Sequence, residues 1–420
     1  MHRNVLDPPK LNMITNQHNA LLATMLGIFI MSMCVTFSLG FQCSSSLDCS
    51  LNGNCIDSKC ECDSAWTGPA CAQLNEMQVD PGRGIYRKNN ATWGLSVLQD
   101  QGNPGLWHGY TAVFAGECGL DSWIGTSMIW HLTAYSPAGP FVNETVVQGA
   151  GETSPTFRHN PTAVYHPPSK KVILTHIGCG NQTISPQYMN CSSGRTPSAR
   201  RGGSILQASC SGFESNAMVA DAPNGPWSAD VTLVGAQPGQ WPNSMDNPAP
   251  LVLANGTIIS MFRSYNHSHE SPYHSVVGIA RGQSTSWSGP YDRPTAPILG
   301  QGTGGGAPFA QLEDPFFWQD HRGFKALFHT MGGCESVGCF AYSLDSYTWH
   351  MTGREVDGIG AAYSKTVQMT DGTNTTYDRR ERPHLVFVPG SDQPIALTNG
   401  VLPHGVGDHS HSIVVPLVSA

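Results

Sequence analysis

Acidic, amide and histidine side chains form four pairs that stand immediately before a proline. The pairs are His159-Asn160, Asp246-Asn247, Glu313-Asp314 and Glu381-Arg382. If their side chains converge, like charges would raise the pKa of one carboxyl group above that of its neighbour. One protonated and one ionised carboxyl group together can transfer a proton to a leaving oxygen and activate a water molecule. Whether the pairs converge depends on the elements that follow each proline.

Each pair opens a unit of strand, polar turn and strand. The clearest is 312–329, where two β-strand patterns flank a turn at 319–323. The prolines are separated by 87, 67 and 68 residues, and a further unit without the proline begins at Trp93-Gly94. A second recurring segment stands at the end of the units, as in AYSPAGPF at 134–141. Repeats of about four strands predict an all-β fold, a five-bladed β-propeller over residues 85–420.

The composition agrees with a turn-rich β protein. The 420 residues include 46 Gly and 30 Pro, and only 12% are charged, which favours neither a helical nor a disordered chain. The length allows one large domain and a small one. Because the net charge is -8 and no long basic run occurs, we expect no nucleic-acid partner.

The N-terminal segment predicts passage to a membrane. Residues 1–19 are polar and are interpreted as a cytoplasmic tail, whereas 20–41 carry no charge and are long enough to span a bilayer. Because Arg3 and Lys10 precede the apolar run, a signal-anchor would leave the remainder of the chain extracellular or lumenal. The alternative is a cleaved signal peptide and a secreted protein, with small residues at 38–40 near a cleavage point.

Cysteines and sequons agree with a secretory route. Twelve of the 13 cysteines lie beyond residue 40, and disulfides persist in oxidising compartments. Seven Asn-X-Ser/Thr sequons also occur, and we expect N-glycosylation at them. They are Asn90, Asn143, Asn181, Asn190, Asn255, Asn266 and Asn374.

Six cysteines in residues 43–71 have the spacing C-x5-C-x5-C-x4-C-x-C-x8-C. With Trp66 and Gly68, this pattern resembles an EGF-like module, placed at 42–72 and followed by a linker at 73–84. A core this small needs disulfides. The resemblance implies the pairs Cys43–Cys55, Cys49–Cys60 and Cys62–Cys71. No calcium is expected, since 40–42 lack the acidic lead-in of calcium-binding members. A rigid spacer or adhesive knob is the expected role, and a receptor ligand the alternative.

The remaining cysteines predict bridges within the propeller. Cys334 and Cys339 are close enough in sequence for a local bridge, and Cys179–Cys191 is a second candidate. Cys118–Cys210 is left by elimination. Bridging is favoured over metal binding in an oxidising compartment.

The propeller geometry makes the pairs converge. The innermost strand of each blade comes first, so the starts of these strands surround the axis on one face, and the loop between the second and third strands returns there. We predict that substrate is bound by residues of this ring. They are Trp93, His159, Asn160, Asn247, Asp314 and Arg382. Glu381, between Arg380 and Arg382, is predicted to form a structural ion pair.

A five-bladed propeller with an acidic residue at successive blade starts resembles glycoside hydrolase family 43, the arabinanases and furanosidases, over about 330 residues in architecture. The resemblance implies that Glu313, two positions before Pro315, is the general acid. It also implies an Asp-Pro in the third blade that tunes the acid. Asn247-Pro248 stands there, so Asp246, one residue earlier, is the candidate.

The resemblance also implies a basic Asp at the start of the first blade. Trp93-Gly94 occupies that position, so the candidate base is Asp121 in the neighbouring loop 116–123, with Glu117 as the alternative. The implied activity is hydrolysis of a furanoside or pentose-containing glycan, with inversion and carboxyl groups about 6.5–9.5 Å apart. The alternative function is a catalytically inactive carbohydrate-binding or adhesive propeller.

Other polar and aromatic residues could complete a sugar site. Tryptophans could stack on sugar rings, but because blade cores also need aromatic residues we expect at most two of them in the cavity. The candidates are Trp93, Trp107, Trp123 and Trp318. Candidate histidines for hydrogen bonds are His159, His267, His269, His274, His329, His384, His409 and His411. No cofactor is expected, and only an axial metal ion, which some family members hold through a His, is left open. We expect a monomer.

Overall fold

The computed structural model describes residues 41–86, 90–151, 157–178, 191, 213–235, 237, 241–265, 275–300, 311–330, 337–352 and 360–419. Within these ranges, no helix is long and apolar enough to cross a membrane. The predicted signal-anchor, at 20–41, lies outside the described residues except for Phe41. Gly40–Ala420 form one compact unit.

The small N-terminal module consists of two short antiparallel ribbons. Its strands are β1 (Gly53–Ile56), β2 (Lys59–Cys62), β3 (Trp66–Thr67) and β4 (Gln73–Leu74). β1 pairs with β2, and β3 pairs with β4. Disulfides join Cys43 to Cys55, Cys49 to Cys60 and Cys62 to Cys71, which are the pairs that the family resemblance implied. These bridges close loops in a module with little core of its own.

Five antiparallel sheets follow, and the predicted five-bladed propeller is confirmed. A short strand, β5 (Ile85–Tyr86), precedes them. Blade 1 contains β6 (Thr92–Gln99), β7 (Trp107–Phe114), β8 (Ser127–Ala134) and β9 (Val142–Val146). The loop between β7 and β8 contains two 3₁₀ turns (Ala115–Glu117 and Leu120–Ser122) and the short helix α1 (Trp123–Thr126). Blade 2 contains β10 (His159–His166), β11 (Lys171–Gly178), β12 (Glu214–Ala220) and β13 (Val231–Val234).

Blades 3 and 4 repeat this order, and blade 5 departs from it because a short strand precedes its innermost strand. Blade 3 contains β14 (Asp246–Val252), β15 (Ile258–Tyr265), β16 (Ser275–Gly282) and β17 (Tyr291–Asp292), with β18 (Leu299–Gly300) paired to β16. Blade 4 contains β19 (Leu312–Asp320), β20 (Gly323–Thr330), β21 (Gly338–Ser343) and β22 (His350–Thr352). Blade 5 contains β23 (Thr366–Gln368), β24 (Asn374–Phe387), β25 (Pro394–Pro403) and β26 (His411–Pro416).

The ring closes at the innermost strands and again at the outer edge of blade 5. β6, β10, β14, β19 and β24 each contact the next, and β24 contacts β6. β5 pairs with β26, where Tyr86 faces Ser412 and Ile85 faces Ile413. The N-terminal end of the propeller therefore supplies the outermost strand of its last blade.

Apolar side chains between neighbouring blades form the core. Between blades 3 and 4, for example, Met261, Phe317 and Phe328 are almost fully buried in one cluster. Burial of such side chains contributes roughly 1.5–3 kcal/mol each. A tight turn connects β19 to β20. Asp320 Oδ1 stabilises it by accepting hydrogen bonds from the backbone N–H groups of Arg322 and Gly323 at 2.9 and 3.2 Å.

The EGF-like module packs on blade 4 through an aromatic contact. The Trp66 ring lies 6.4 Å from that of Trp318 and 4.9 Å from that of Phe340, between ring centroids. Arg322 at the edge of blade 4 donates to Asp63 of the module. Residues 73–84, predicted as a linker, continue along blade 5 through bridges such as Val79 to Met369. The module and the propeller therefore share one core.

A fourth disulfide corrects the predicted pairing in the propeller. Cys118 is bonded to Cys191, 73 residues away, with the two Cα atoms 5.0 Å apart. The predicted Cys179–Cys191 and Cys118–Cys210 bridges are therefore wrong. The physical reason is that the pairing joins the returning loops of two neighbouring blades, which are adjacent in space and distant in sequence. Cys339 is disulfide-bonded, but Cys334, its predicted partner, lies outside the described residues, as do Cys179 and Cys210.

The sequons differ in accessibility. Asn143, Asn255 and Asn374 are exposed. Asn90 is half-buried, and its Nδ2 donates to the carbonyl oxygen of Phe114 at 3.2 Å. The other three, Asn181, Asn190 and Asn266, lie outside the described residues. Glycosylation at all seven stays a prediction.

Candidate active site

One backbone irregularity recurs at the start of all five blades. In each innermost strand, the pairing with the second strand shifts directly after the blade-start pair, as between Glu313 and Phe316. The second residue of each pair has a left-handed backbone, with φ of 66°, 54°, 51°, 51° and 57° at Gly94, Asn160, Asn247, Asp314 and Arg382. Such a β-bulge redirects side chains. As a result, both members of three pairs face one cavity.

This cavity has a volume of ≈ 240 Å³ and lies where the blade starts meet. Ten of the predicted residues line it, which are Trp93, Asp121, Trp123, His159, Asn160, Asp246, Asn247, Glu313, Asp314 and Glu381. Arg382 and Glu117 are not in its wall. His267, His269 and His274 lie outside the described residues. The blade-start geometry therefore brings together most of the residues singled out from the sequence.

Carboxyl groups approach the cavity from both sides of the axis. Asp246 and Glu313 belong to blades 3 and 4, which stand opposite blade 1 in a ring of five. Asp121 comes from the loop after β7 in blade 1, where it lies in a 3₁₀ turn and is exposed. A ligand in the cavity would therefore lie between Asp121 and the other two carboxyl groups.

Arg263 connects the two carboxyl groups of blades 3 and 4. Its Nη2 lies 2.6 Å from Glu313 Oε1, and its Nη1 lies 3.6 Å from Asp246 Oδ2. Arg263 was not singled out from the sequence, although its place opposite a blade-start residue could have indicated it. Arg263 is the direct cross-strand partner of Asp246 on the second strand of blade 3, and the equivalent residue of blade 2, Ile177 opposite His159, also lines the cavity.

The environment separates the protonation states of these carboxyl groups. Burial favours the neutral form of Glu313, but Arg263 and His329 outweigh it and lower its pKa to about 2. Burial raises the pKa of Asp246 to about 6, with the Glu313 charge adding to the effect and Arg263 opposing it. Burial likewise raises the pKa of Asp314 to about 6. In the free cavity Glu313 is therefore a carboxylate, whereas Asp246 carries a proton in weakly acidic solution.

His329 lies behind Glu313. It is the cross-strand partner of Glu313, and its two ring nitrogens lie 3.8 Å from Glu313 Oε2 and 3.4 Å from Glu381 Oε1. Burial lowers the pKa of His329, but the two carboxylates outweigh it and the pKa is raised overall. The imidazolium form therefore helps to keep Glu313 ionised.

Glu381 forms an ion pair, although not with the arginines on either side of it. Arg379 Nε and Nη2 donate to its two carboxylate oxygens at 2.6 and 2.7 Å. Residues two apart on a strand point to the same face, which explains this choice. Arg380 instead pairs with Glu76, and Arg382 reaches blade 2. Arg379, also missed from the sequence, lines the cavity beside Trp93, 5.2 Å from the centroid of that ring.

Arg382 lies beneath the cavity rather than in its wall. Its Nη2 donates to the carbonyl oxygen of Asn160 at 2.6 Å and to Thr162 Oγ1 at 3.1 Å. Its aliphatic stem covers Gly94, where an added Cβ would lie 2.5 Å from Arg382 Cγ. Gly94 is therefore required both by its left-handed φ and by this contact. The predicted substrate-binding residue instead supports the floor of the cavity.

Two tryptophans line the cavity, in agreement with the limit expected from the sequence. They are Trp93 and Trp123. Trp123 stacks on His159 with ring centroids 4.6 Å apart, and His159 Nδ1 is 2.8 Å from Ser127 Oγ. Burial holds the pKa of His159 well below its usual range, so its ring is neutral. Trp107 and Trp318 pack elsewhere.

The donor set on the axis does not fit a resident metal ion. Ligand atoms of Asp314, His329 and Glu381 lie within 4.8 Å of one another. The two carboxylates already face guanidinium groups, however, with Arg382 Nη1 3.7 Å from Asp314 and Arg379 Nε 2.6 Å from Glu381. A cation placed among them would be repelled at close range. Arginine supplies the positive charge that an axial metal would otherwise provide.

Comparisons with known proteins agree with both parts of the molecule. Residues 43–74 match the Teneurin-like EGF domain. No curated protein sequence gives a significant match. A family 62 hydrolase in complex with xylotriose superposes with a TM-score of 0.54 and 10% identity, over 84% of this chain and 99% of that one.

Two further solved structures are similar. Zg3597, a family 117 glycoside hydrolase of the marine bacterium Zobellia galactanivorans, gives a TM-score of 0.51 and 14% identity over 84% of this chain and 90% of its own. A thermostable family-43 glycoside hydrolase gives a TM-score of 0.49 and 9% identity over 82% of this chain and 92% of its own. Residues 43–74 therefore form a Teneurin-like EGF domain, and the five-bladed propeller has a fold similar to that of these glycoside hydrolases. At these identities the likeness of the propeller concerns its fold.

Proposed function

We propose that the propeller is a glycoside hydrolase that acts on furanoside or pentose-containing glycans. The observation that carries this proposal is the placement of Asp121 opposite Asp246 and Glu313 around one polar cavity. Hydrolysis with inversion needs an acid on one side of the sugar and a base on the other. The family 62 structure that is similar to this chain was solved with xylotriose, a pentose oligosaccharide, which supports the substrate class.

Unpartnered oxygen atoms support a ligand with many hydroxyl groups. Asp246 Oδ1 and Asn160 Oδ1 are buried on residues that line the cavity, and neither has a hydrogen-bond partner within the described ranges. Buried polar atoms are nearly always satisfied. A sugar hydroxyl group can donate to Asn160 Oδ1, and a sugar oxygen can accept from the protonated Asp246. The faces of Trp93 and Trp123 suit the apolar face of a sugar ring.

The protonation pattern supports the following roles. Asp246, with its pKa raised to about 6, gives its proton to the leaving oxygen as the bond to the anomeric carbon breaks. Asp121 accepts a proton from the water molecule whose oxygen forms the new bond. Glu313, ionised beside Arg263, stabilises the positive charge that develops on the sugar. The proposed acid is therefore Asp246 rather than Glu313, the residue implied by the resemblance. Both carboxyl groups face Arg263.

The proposal is tested with a panel of aryl furanosides, aryl pyranosides and pentose-containing glycans. The wild type is compared with Asp246→Asn, Asp121→Asn and Glu313→Gln. Loss of the acid should fall hardest on substrates with poor leaving groups, because good leaving groups depart without a proton. Asp121→Asn should lose activity on all substrates and regain part of it with azide, an anion that replaces activated water.

Activity that is equal in all four proteins would place the chemistry elsewhere. If Glu313→Gln rather than Asp246→Asn shows the leaving-group dependence, Glu313 is the acid after all. Proton NMR of the first product decides between inversion and retention.

A glycan-binding propeller without hydrolysis is the second candidate. It is favoured by Trp93 at the start of blade 1, where the resemblance implied a base, and by the arginine partners of Glu313 and Glu381. Binding of a glycan by the wild type without release of product from any of the panel would select this function.

The four disulfides between described cysteines indicate an oxidising compartment. We propose that residues 20–41 anchor a monomeric propeller to a membrane of the secretory route, with the catalytic cavity outside the cytoplasm. Alkaline extraction of membranes distinguishes this from a secreted protein, because only an anchored chain stays in the pellet.

A further inference from the structure

Guanidinium groups are concentrated around this acidic cavity. Arg263 and Arg379 line it, and Arg382 lies beneath it. Glu313, Glu381 and Asp314 have guanidinium nitrogens at 2.6, 2.6 and 3.7 Å, respectively. A cavity lined by carboxylates alone would repel an anion, but pairing with arginine cancels that field at short range.

Arg379 is the arginine best placed to meet a ligand. Its side chain is 39% exposed although it lines the cavity. Nε and Nη2 hold Glu381, and the guanidinium group lies against the Trp93 ring. These contacts fix its orientation and leave Nη1 unused by them. A guanidinium group that is already oriented binds an oxyanion with little further loss of freedom.

The balance of charge becomes more favourable to an anion in weakly acidic solution. Burial keeps protons on Asp246 and Asp314, whose pKa is raised to about 6. The pKa of His329 is also raised, by Glu381 and Glu313 against the effect of burial. In weakly acidic solution the three guanidinium groups and the His329 imidazolium therefore face fewer ionised carboxyl groups than at neutral pH.

We propose that the glycan bound in this cavity carries an oxyanion, either a uronic acid carboxylate or a sulfate ester, which pairs with Arg379 beside Trp93. This inference rests on the proposed function and specifies the charge class of its substrate. A neutral pentose chain offers Arg379 only hydroxyl groups. A carboxylate and a sulfate ester each present two oxygen atoms that a guanidinium group can bind at the same time.

The test is calorimetric titration of the full chain at pH 5.5 with three matched oligosaccharides. One is a neutral pentose oligosaccharide, one bears a uronic acid and one bears a sulfate ester. We expect at least one acidic ligand to bind about tenfold more tightly than the neutral one, which corresponds to about 1.4 kcal/mol. The stronger of the two acidic ligands identifies the source of the oxyanion.

Arg379→Gln provides the residue-specific comparison, with Arg293→Gln as a matched control on an exposed arginine next to the outermost strand of blade 3. The ratio of acidic to neutral affinity should fall about tenfold in Arg379→Gln and stay unchanged in Arg293→Gln. If Arg379→Gln does not fold, the same ratio of affinities is measured for Arg379→Lys, which keeps the positive charge but loses the paired N–H donors of the guanidinium group. A wild type without preference for acidic ligands, or an unchanged ratio in the Arg379 variants, overturns the inference.

Salt dependence and hydrolysis separate this inference from the proposed function. Raising the salt from 0.05 to 0.5 M should weaken acidic ligands more than the neutral one. Tight binding of acidic glycans with no hydrolysis would uphold the anion site and reject the hydrolase. Hydrolysis of neutral and acidic glycans at equal efficiency would uphold the hydrolase and reject the anion site.

Discussion

Arg382 of blade 5 donates a hydrogen bond from Nη2 to the carbonyl oxygen of Asn160 in blade 2 at 2.6 Å. These two blades are not neighbours, and the side chain reaches blade 2 below the cavity by passing over Gly94 of blade 1, which lies between them. A single arginine therefore connects three blades. Its φ of 57° is costly for a residue other than Gly, Asn or Asp, and the surrounding contacts hold it there.

Gly94→Ala tests this crossing. Gly94 and Gly372 both have positive φ, 66° and 86°, but nothing lies within 4 Å of a Cβ at Gly372, whereas Arg382 lies 2.5 Å from one at Gly94. The strain of an alanine at positive φ is thus common to both variants. We expect Gly94→Ala to lower the free energy of unfolding by about 1–3 kcal/mol more than Gly372→Ala, as measured by urea titration. Equal losses would show that Arg382 can move aside without cost.

Asp246→Asn should stabilise the protein at high pH. Burial raises the pKa of Asp246 from its ordinary value of 3.8 to about 6 in the folded state. The folded state therefore resists ionisation, and stability falls as the pH rises through this range. The variant should exceed the wild type by on the order of 2 kcal/mol at pH 8 and match it below about pH 4.

Denaturant titrations at pH 4, 6 and 8 measure the difference. Asp57→Asn, at an exposed turn of the EGF-like module, serves as the control and should differ little from the wild type at any pH. A constant difference between Asp246→Asn and wild type at all three values would contradict the buried, protonated carboxyl group. In catalysis, the same group predicts that activity falls as the pH rises above about 6.

The Cys118–Cys191 bridge can be located by peptide mapping without reduction. We expect a cross-linked peptide pair that contains these two residues and that separates only after reduction. A peptide in which Cys191 is joined to Cys179 instead would reject the observed pairing. Cys118→Ser should lower the free energy of unfolding by about 2–4 kcal/mol, since a loop of 73 residues is released.

Trp66→Ala should destabilise the propeller as well as the EGF-like module. Trp66 is 5% exposed and belongs to the cluster that continues into blades 4 and 5, so its loss leaves a cavity on both sides of the contact. We expect a loss of about 3–5 kcal/mol and a single shifted transition by calorimetry. Ile56→Ala, at a 46% exposed position of the same module, should change stability little. Two separate transitions in Trp66→Ala would mean that the modules fold independently.

Chelation should leave the protein unchanged. Because Arg382 and Arg379 already face the carboxylates of Asp314 and Glu381, EDTA is expected to alter neither the melting temperature nor glycan binding. Calcium, magnesium or zinc added after dialysis should also be without effect. A rise of the melting temperature with one of these ions would identify a metal site on the axis.

The sequence predicted the architecture well because the repeated X-Pro pair is a direct consequence of the blade start. Asn160, Asn247 and Asp314 tolerate the left-handed backbone of the bulge, and the proline follows it, so the fold is visible in these residues. Glu313 and Asp246 could be placed around one cavity for the same reason, and Asp121 because the loop between the second and third strands returns to that face. The EGF-like module was visible in its cysteine spacing, which its small core requires.

The remaining features depend on contacts between blades. Arg263 and Arg379 set the charge of the site, yet they lie outside the repeated pair, on the facing strand and two residues upstream. Cys118–Cys191 depends on which loops are adjacent in space. Glu313 was predicted as the protonated acid, but Arg263, 2.6 Å away, and His329 lower its pKa, and neither contact is visible in the sequence.

The pairing of β5 with β26 has a consequence for synthesis. The two strands lie at opposite ends of the propeller sequence, at Ile85–Tyr86 and His411–Pro416. Since chains emerge from the ribosome N-terminal end first, the ring cannot close until translation of the domain is almost finished. Until then, β5 has no partner strand, and the apolar face of blade 1 that packs on blade 5 stays uncovered, so both invite misassembly. We therefore expect closure to be a late event in folding and nascent chains to depend on chaperones that shield open β-sheets.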